Sequence, residues 1–140
     1  MPSDTIADML TRIRNAMAVK KPDVLVPYSR IKHQIADILV QERYVLKAEK
    51  IGADKTDKLN TDLRHDHLRL VLKYRSNGTS YIRHIKRVSK PSRRYYVTAD
   101  KMPTILRGLG TAIVSTSKGL LTVKQARQEK VGGELMLEIW

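Results

Sequence analysis

The apolar residues of this 140-residue chain change their period partway along. Near the beginning, Ile6, Met9, Leu10, Ile13 and Met17 recur at the spacing of one helix face, and Ile31, Ile35, Ile38 and Leu39 do so again. From His67 to Arg75 the period becomes two, with Leu68, Leu70, Leu72 and Tyr74 alternating against His67, Arg69, Val71 and Lys73. A chain that carries both periods must bury helix stripes and half-buried strands together, which predicts an α+β protein.

Local signals place the elements. Ser3 and Asp4 are predicted to cap the first helix, and Ser29 the second, which ends near Glu42. Lys20 to Asp23 reads as a turn, Val24 to Val26 as a short strand closed by Pro27, and Tyr44 to Ile51 as a strand. Gly52 to Asp66, polar and charged, reads as a long hairpin loop. Ser76, Asn77 and Gly78 form a turn signal and the expected boundary between two small lobes, residues 1–76 and 77–140. The first lobe thus reads helix, strand, helix, strand, strand. In the second, Tyr81 to Val88 is expected to be a strand, Pro91 a break, and Arg94 to Thr98 extended again. Asp100 caps a short helix through Leu106, ended by Gly108 and Gly110, and Ala112 to Ser115 is a strand. Thr122 caps a helix through Lys130, and Gly132 and Gly133 turn into a last strand, Glu134 to Trp140. The second lobe is therefore expected to be mainly β with two short helices.

Charge is spread unevenly along the chain. The chain holds 27 Lys and Arg against 14 Asp and Glu, a net charge of +13. Residues 1–66 carry 12 basic and 10 acidic side chains, net +2, whereas residues 67–140 carry 15 and 4, net +11. Self-repulsion of that size opposes compaction unless a polyanion neutralises it, and nucleic acid is the expected partner. There is no cysteine, which excludes disulfide frameworks, thiolate zinc sites and cysteine nucleophiles. No apolar run approaches the roughly 20 residues of a membrane span. Met1 to Asp8 lacks the plan of a signal or transit peptide, so an intracellular, cytoplasmic chain without a membrane partner is expected.

Two segments carry candidate chemistry. Arg83, Lys86, Arg87, Lys90, Arg93 and Arg94 lie within twelve residues that contain no acid, and Tyr95 and Tyr96 follow them. Guanidinium groups beside aromatic faces suit phosphates, riboses and bases together. Ser115, Thr116, Ser117, Lys118 and Gly119 place three hydroxyls and an ammonium at the end of an apolar strand, where hydroxyls can both donate to and accept from RNA. Ser115 stands three before Lys118, the nucleophile spacing of serine β-lactamases, but the companion motifs are missing. His65, Asp66 and His67 lack the further ligands of a zinc site, and Gly108 and Gly110 lack the rest of a phosphate-binding loop. No cofactor, metal, small-molecule substrate or catalytic residue is expected. Two alternatives stay open: an RNA-cleaving enzyme using His84 or His67 as general base, and a DNA-compacting protein indifferent to the 2′-OH.

Three stretches together resemble one family, that of bacterial-type small-subunit ribosomal protein number eight: Asp4 to Ala16 its opening helix, Ile85 to Val97 its basic bend, and Gly108 to Glu134 its C-terminal signature. The resemblance implies a two-lobe α+β protein that binds the central domain of small-subunit ribosomal RNA during assembly, holding an irregular helix and a neighbouring junction. Carried over by position, it implies RNA contacts from Ser115, Thr116, Ser117, Lys118 and Gly119, from Arg87, Lys90, Arg94 and Tyr96, and from Gly133 and Glu134. It further implies that Thr11, Arg14, Asn15, Ser29, Arg30 and Lys32 meet other RNA and neighbouring ribosomal proteins, notably number five. Some members of the family also repress translation of their own operon mRNA. The chain departs from the family at Thr5, where proline is usual, Tyr28, where a small residue is usual, Ser92, where glycine is usual, and Val123, where an acid is usual.

Overall fold

The structure, a computed structural model, describes residues 4–52 and 65–140. In chain order the elements are α1 (Thr5–Ala18), β1 (Asp23–Pro27), α2 (Arg30–Gln41), β2 (Val45–Ile51), β3 (His67–Leu72), β4 (Ile85–Arg87), β5 (Tyr96–Val97), β6 (Thr111–Thr116), β7 (Gly119–Thr122), α3 (Val123–Glu129) and β8 (Gly133–Ile139). They form two compact units, one of residues 11–81 and the other of residues 82–140 together with 1–10. The stripe of α1 divides accordingly: Ile6, Met9 and Leu10 are buried in one unit, Ile13 and Ala16 in the other. The Asp4 carboxylate starts this helix by accepting from the Ile6 and Ala7 amides at 3.2 Å each. Ser3 and most of the expected Gly52 to Asp66 loop lie outside the described residues.

In the unit of residues 11–81, β1, β3 and β2 make an antiparallel sheet in that order. The alternation in β3 resolves as the period implies, with Leu68, Leu70 and Leu72 inside. On the other face Arg69 ties the three strands, donating to Asp23 on β1 at 2.7 Å and to Glu49 on β2 at 2.8 Å. Ser29 caps α2 by accepting from the Lys32 amide at 3.3 Å. The buried face of α2 is Lys32, Ile35, Ala36, Ile38 and Leu39. Ile31, expected in that stripe, is 36% exposed, because the face is centred one position further round the helix.

In the other unit the strand order is β4-β8-β6-β7, and β5 also pairs with β8. β4 pairs with Leu137 to Ile139 and β5 with Gly133 and Glu134, so the two run along one edge of β8 as an interrupted strand. Met102, Ala112, Val114, Val123, Ala126 and Leu135 form the cluster beneath α3. Burying a Val, Leu or Met side chain of this kind contributes about 1.5–3 kcal/mol. A reciprocal cap fixes the start of α3: Gln125 N–H donates to Thr122 Oγ1 at 3.1 Å and Thr122 N–H to Gln125 Oε1 at 3.0 Å. Val123, at the position where the family carries an acid, leaves that cap complete.

Three expectations need correction here. The strand expected over Tyr81 to Val88 is confined to Ile85–Arg87, since the Arg83 and His84 amides both donate to the Trp140 carbonyl, at 2.7 and 2.8 Å, and the ladder opens only after that pinch. The helix expected from Asp100 to Leu106 is absent. Ala99–Lys101 makes one 3-10 turn and Met102 then turns extended, as a residue before proline must, so the second half has one α-helix rather than two. Gly119, placed with the hydroxyl-bearing turn, opens strand β7, Gly119–Thr122, while Thr122 caps α3 as expected.

Candidate nucleic-acid interface

The basic bend is a tight excursion from the edge of β8. Lys90 and Arg93 exchange backbone hydrogen bonds at 2.9 Å, closing a turn over Pro91 and Ser92. Proline suits the second position of such a turn because its φ is already set. Ser92 has no positive φ, so the turn does not require the glycine usual in the family. On either side, the Val88 and Ser89 amides donate to the Met136 and Leu135 carbonyls, and the Leu135 amide donates to the Tyr95 carbonyl. Lys90, Arg93, Arg94, Tyr95 and Tyr96 are thereby presented to solvent from an anchored backbone.

A polar cluster stands at the base of the bend. Ser89, fully buried, donates from its hydroxyl to Glu134 Oε2 at 2.5 Å and accepts from the Tyr95 amide at 3.0 Å. Arg94 donates to the same carboxylate oxygen at 2.9 Å. Burial alone would push the Glu134 carboxyl up, but the bonds from Ser89 and Arg94 outweigh it and hold the group below its ordinary range. Arg87 points inward, donating to Asp4 at 2.9 Å and to the Met136 carbonyl at 2.7 Å, with only 8% of its surface exposed. Sequence reasoning took Arg87 and Glu134 as surface groups and gave Ser89 no role. The buried positions Ile85, Arg87 and Ser89 do follow a period of two, but the partner of Ser89 lies 45 residues away.

Glu134 faces Tyr96 across one ladder and Ser115 across the other, so these three side chains occupy one rung and one face. Gly133 fits beside them only because it lacks a Cβ, which would lie 2.1 Å from the Ser115 carbonyl oxygen. Beyond the rung, β6 and β7 meet in a hairpin turn over Ser117 and Lys118, and Gly119 takes a φ of +99° that side chains rarely adopt. The Thr116 hydroxyl is used in holding this turn: it donates to the Gly119 carbonyl at 2.7 Å and accepts from the Lys118 amide at 3.0 Å. Lys118 reaches Glu129 at 3.1 Å in an exposed pair, worth about 0–1 kcal/mol and readily exchanged. The Ser115 and Ser117 hydroxyls make no hydrogen bond to the described residues and are open to a ligand.

The remaining candidates lie in the unit of residues 11–81. Thr11, Arg14 and Asn15 are exposed on α1, and Arg14 donates to the Thr11 hydroxyl at 3.1 Å. Arg30 is exposed, Ser29 is engaged as the cap of α2, and Lys32 is buried with 3% exposure. The histidines have structural partners: His84 bonds Glu138 at 3.1 Å and stacks on Trp140 at 3.8 Å, while His67 bonds the His65 carbonyl. Among the described residues no three His, Cys, Asp or Glu are grouped to hold a metal ion.

The class defined by these features is that of small basic α+β proteins whose sheet carries a cationic bend along one edge and a hydroxyl-bearing hairpin at the other. Comparison with known proteins is more specific: the family model for ribosomal protein S8 matches residues 4–140. The small ribosomal subunit protein uS8 of Deinococcus deserti is 49% identical over 140 residues, the whole of both chains. Its counterpart in Dictyoglomus turgidum is 46% identical, covering 99% of this chain and 98% of that one. This chain belongs to the ribosomal protein S8 family, a family of ribosomal proteins and not of enzymes. Among the described residues no helix is long and apolar enough to cross a membrane.

Proposed function

We propose that this chain is a structural constituent of the small ribosomal subunit in the cytoplasm, and that it binds the central domain of small-subunit ribosomal RNA directly, ordering an irregular helix and the adjacent junction during assembly. The observation that carries the reading is the rung of Tyr96, Glu134 and Ser115 beside two hydroxyls left open at Ser115 and Ser117, next to a bend that carries Lys90, Arg93 and Arg94 exposed. Lys90, Arg94 and Lys118 neutralise phosphates, the two serines read base edges or 2′-OH groups, and Arg87, Ser89 and Glu134 fix the backbone that presents them. Thr11, Arg14, Asn15 and Arg30 meet further RNA and a neighbouring ribosomal protein, number five, while Lys32 acts from within α2. The same surface would recognise an mRNA that copies the ribosomal site and so repress the chain's own operon.

The test is binding to a central-domain RNA fragment and to random duplex. With about six phosphates neutralised, the log-log slope of affinity against salt is on the order of −5. Replacing Ser115 and Ser117 by Ala should weaken the fragment at least tenfold more than the duplex. Equal losses on both would refute the reading role of the hairpin.

A further inference from the structure

Tyr96 begins β5 and Tyr95 stands immediately before it, its carbonyl accepting from the Leu135 amide. Tyr96 takes the face of Glu134 and Ser115. Tyr95 takes the other, where it lines a recess with Lys86, Arg87, Val88, Lys90, Arg93 and Glu138. Lys86 and Glu138 stand directly opposite each other in the β4–β8 ladder, and an extra residue in β8 at Met136 shifts the alternation so that Glu138, opposite Ala112, lies on the face away from Glu134.

The recess combines three properties. Its tyrosine is 52% exposed, yet the Tyr95 backbone is held on both sides, by Ser89 Oγ at 3.0 Å and by the Leu135 amide at 2.8 Å. Of its cations Arg87 is paired with Asp4, but none of Lys86, Lys90 and Arg93 has a carboxylate within ion-pairing distance among the described residues. Its one acid, Glu138, is occupied by His84 at 3.1 Å. An aromatic face on a fixed backbone stacks a flat group at little ordering cost, and the three cations around it fit the phosphates on either side of that group.

We propose that this recess is a second nucleic-acid site, on the sheet face opposite the serine hairpin, which takes one unpaired nucleotide of single-stranded RNA. The base lies on the Tyr95 ring and the flanking phosphates meet Lys86, Lys90 and Arg93. An acidic peptide would match the charge but gain nothing from the exposed ring, whereas any splayed-out base matches both. The inference rests on the proposed function in taking RNA as the partner, and it shares Lys90 with that interface, whereas Tyr95, Lys86 and Arg93 belong to the recess alone.

The experiment uses the full chain, a fluorescein-labelled octauridylate and an unlabelled folded central-domain RNA fragment, read by fluorescence anisotropy at low salt. Tyr95→Leu should weaken octauridylate about tenfold and leave the fragment unchanged. Tyr95→Phe, which keeps the ring, should bind octauridylate like the parent. Replacing Lys86 and Arg93 by Ala should flatten the salt slope for octauridylate by roughly 1.4. Saturating fragment, which takes Lys90, should leave octauridylate bound through Tyr95, Lys86 and Arg93. The proposal is overturned if the fragment displaces octauridylate, if Tyr95→Leu has no effect, or if a polyglutamate peptide competes for the recess in a Tyr95-dependent way. Octauridylate bound at Tyr95 while the fragment fails to bind specifically would support the recess and sink the proposed function alone.

Discussion

Glu134→Ala removes the acceptor that joins two parts of the basic bend, and the cost can be worked from its partners. Ser89 is fully enclosed and its hydroxyl, bonded to Glu134 at 2.5 Å, has no water to turn to. Leaving such a group unsatisfied costs about 1–3 kcal/mol. The Arg94 side chain is 49% exposed, so solvent screens that ion pair and its loss adds little. Together the substitution should destabilise the protein by about 2–3 kcal/mol. Glu134→Gln keeps a carbonyl oxygen for Ser89 and weakens only the charge-assisted part, so about 1 kcal/mol is expected. At roughly 3–4 °C per kcal/mol for a chain of this size, the alanine variant should melt about 6–12 °C below the parent and the glutamine variant about 3–4 °C below it. Circular dichroism melts, with urea titration as a second measure, would decide the matter. A Glu134→Ala protein that melts within a degree of the parent, or a Glu134→Gln protein as unstable as Glu134→Ala, refutes the role given to the cluster.

Other perturbations follow from the same geometry. Gly133→Ala would drive its methyl into the Ser115 carbonyl at 2.1 Å, so β6 and β8 must separate at that rung. A loss of at least about 3 kcal/mol is expected by urea titration, together with weaker RNA binding. Because the Glu134 carboxyl is lowered in the folded state, its contribution is present in full above its ordinary pKa of about 4.5 and is lost as pH falls further. Urea midpoints measured from pH 7 to pH 3 should therefore fall less steeply for Glu134→Gln than for the parent. Thr122→Ala breaks the reciprocal cap of α3 and should cost about 1 kcal/mol by the same titration.

Much of the fold is visible in local pattern, and the parts that are not have physical causes. The stripes of α1 and α2, the alternation in β3 and the caps at Ser29 and Thr122 depend on residues within a few positions of one another, so the sequence displays them directly. Strand β7 is hidden because Gly119 and Thr122 carry turn and cap signals, and only pairing with β6 makes the residues between them extended. The limit at Ile85 is set by the Trp140 carbonyl, 55 positions away, and no window of local sequence contains it. The candidate interface divides in the same way. Runs of charge and hydroxyl groups identify the bend and the hairpin, but the inward turn of Arg87 depends on Asp4, and that of Ser89 on Glu134. Sequence spacing also joined Tyr95 and Tyr96 as a pair, whereas Tyr96 begins β5 opposite Glu134 and Tyr95 lines the recess on the other face.

The central claim is that the later unit presents a rigid cationic surface, tipped by two open hydroxyls, to one folded site on RNA. Hydroxyl-radical and base-specific chemical probing of naked small-subunit ribosomal RNA, with and without the full chain, examines this most directly. A protected patch confined to the central domain, shrinking to its electrostatic margins with the Ser115→Ala, Ser117→Ala double variant, is the predicted result. Diffuse protection over many domains, or an identical pattern with the double variant, would contradict it.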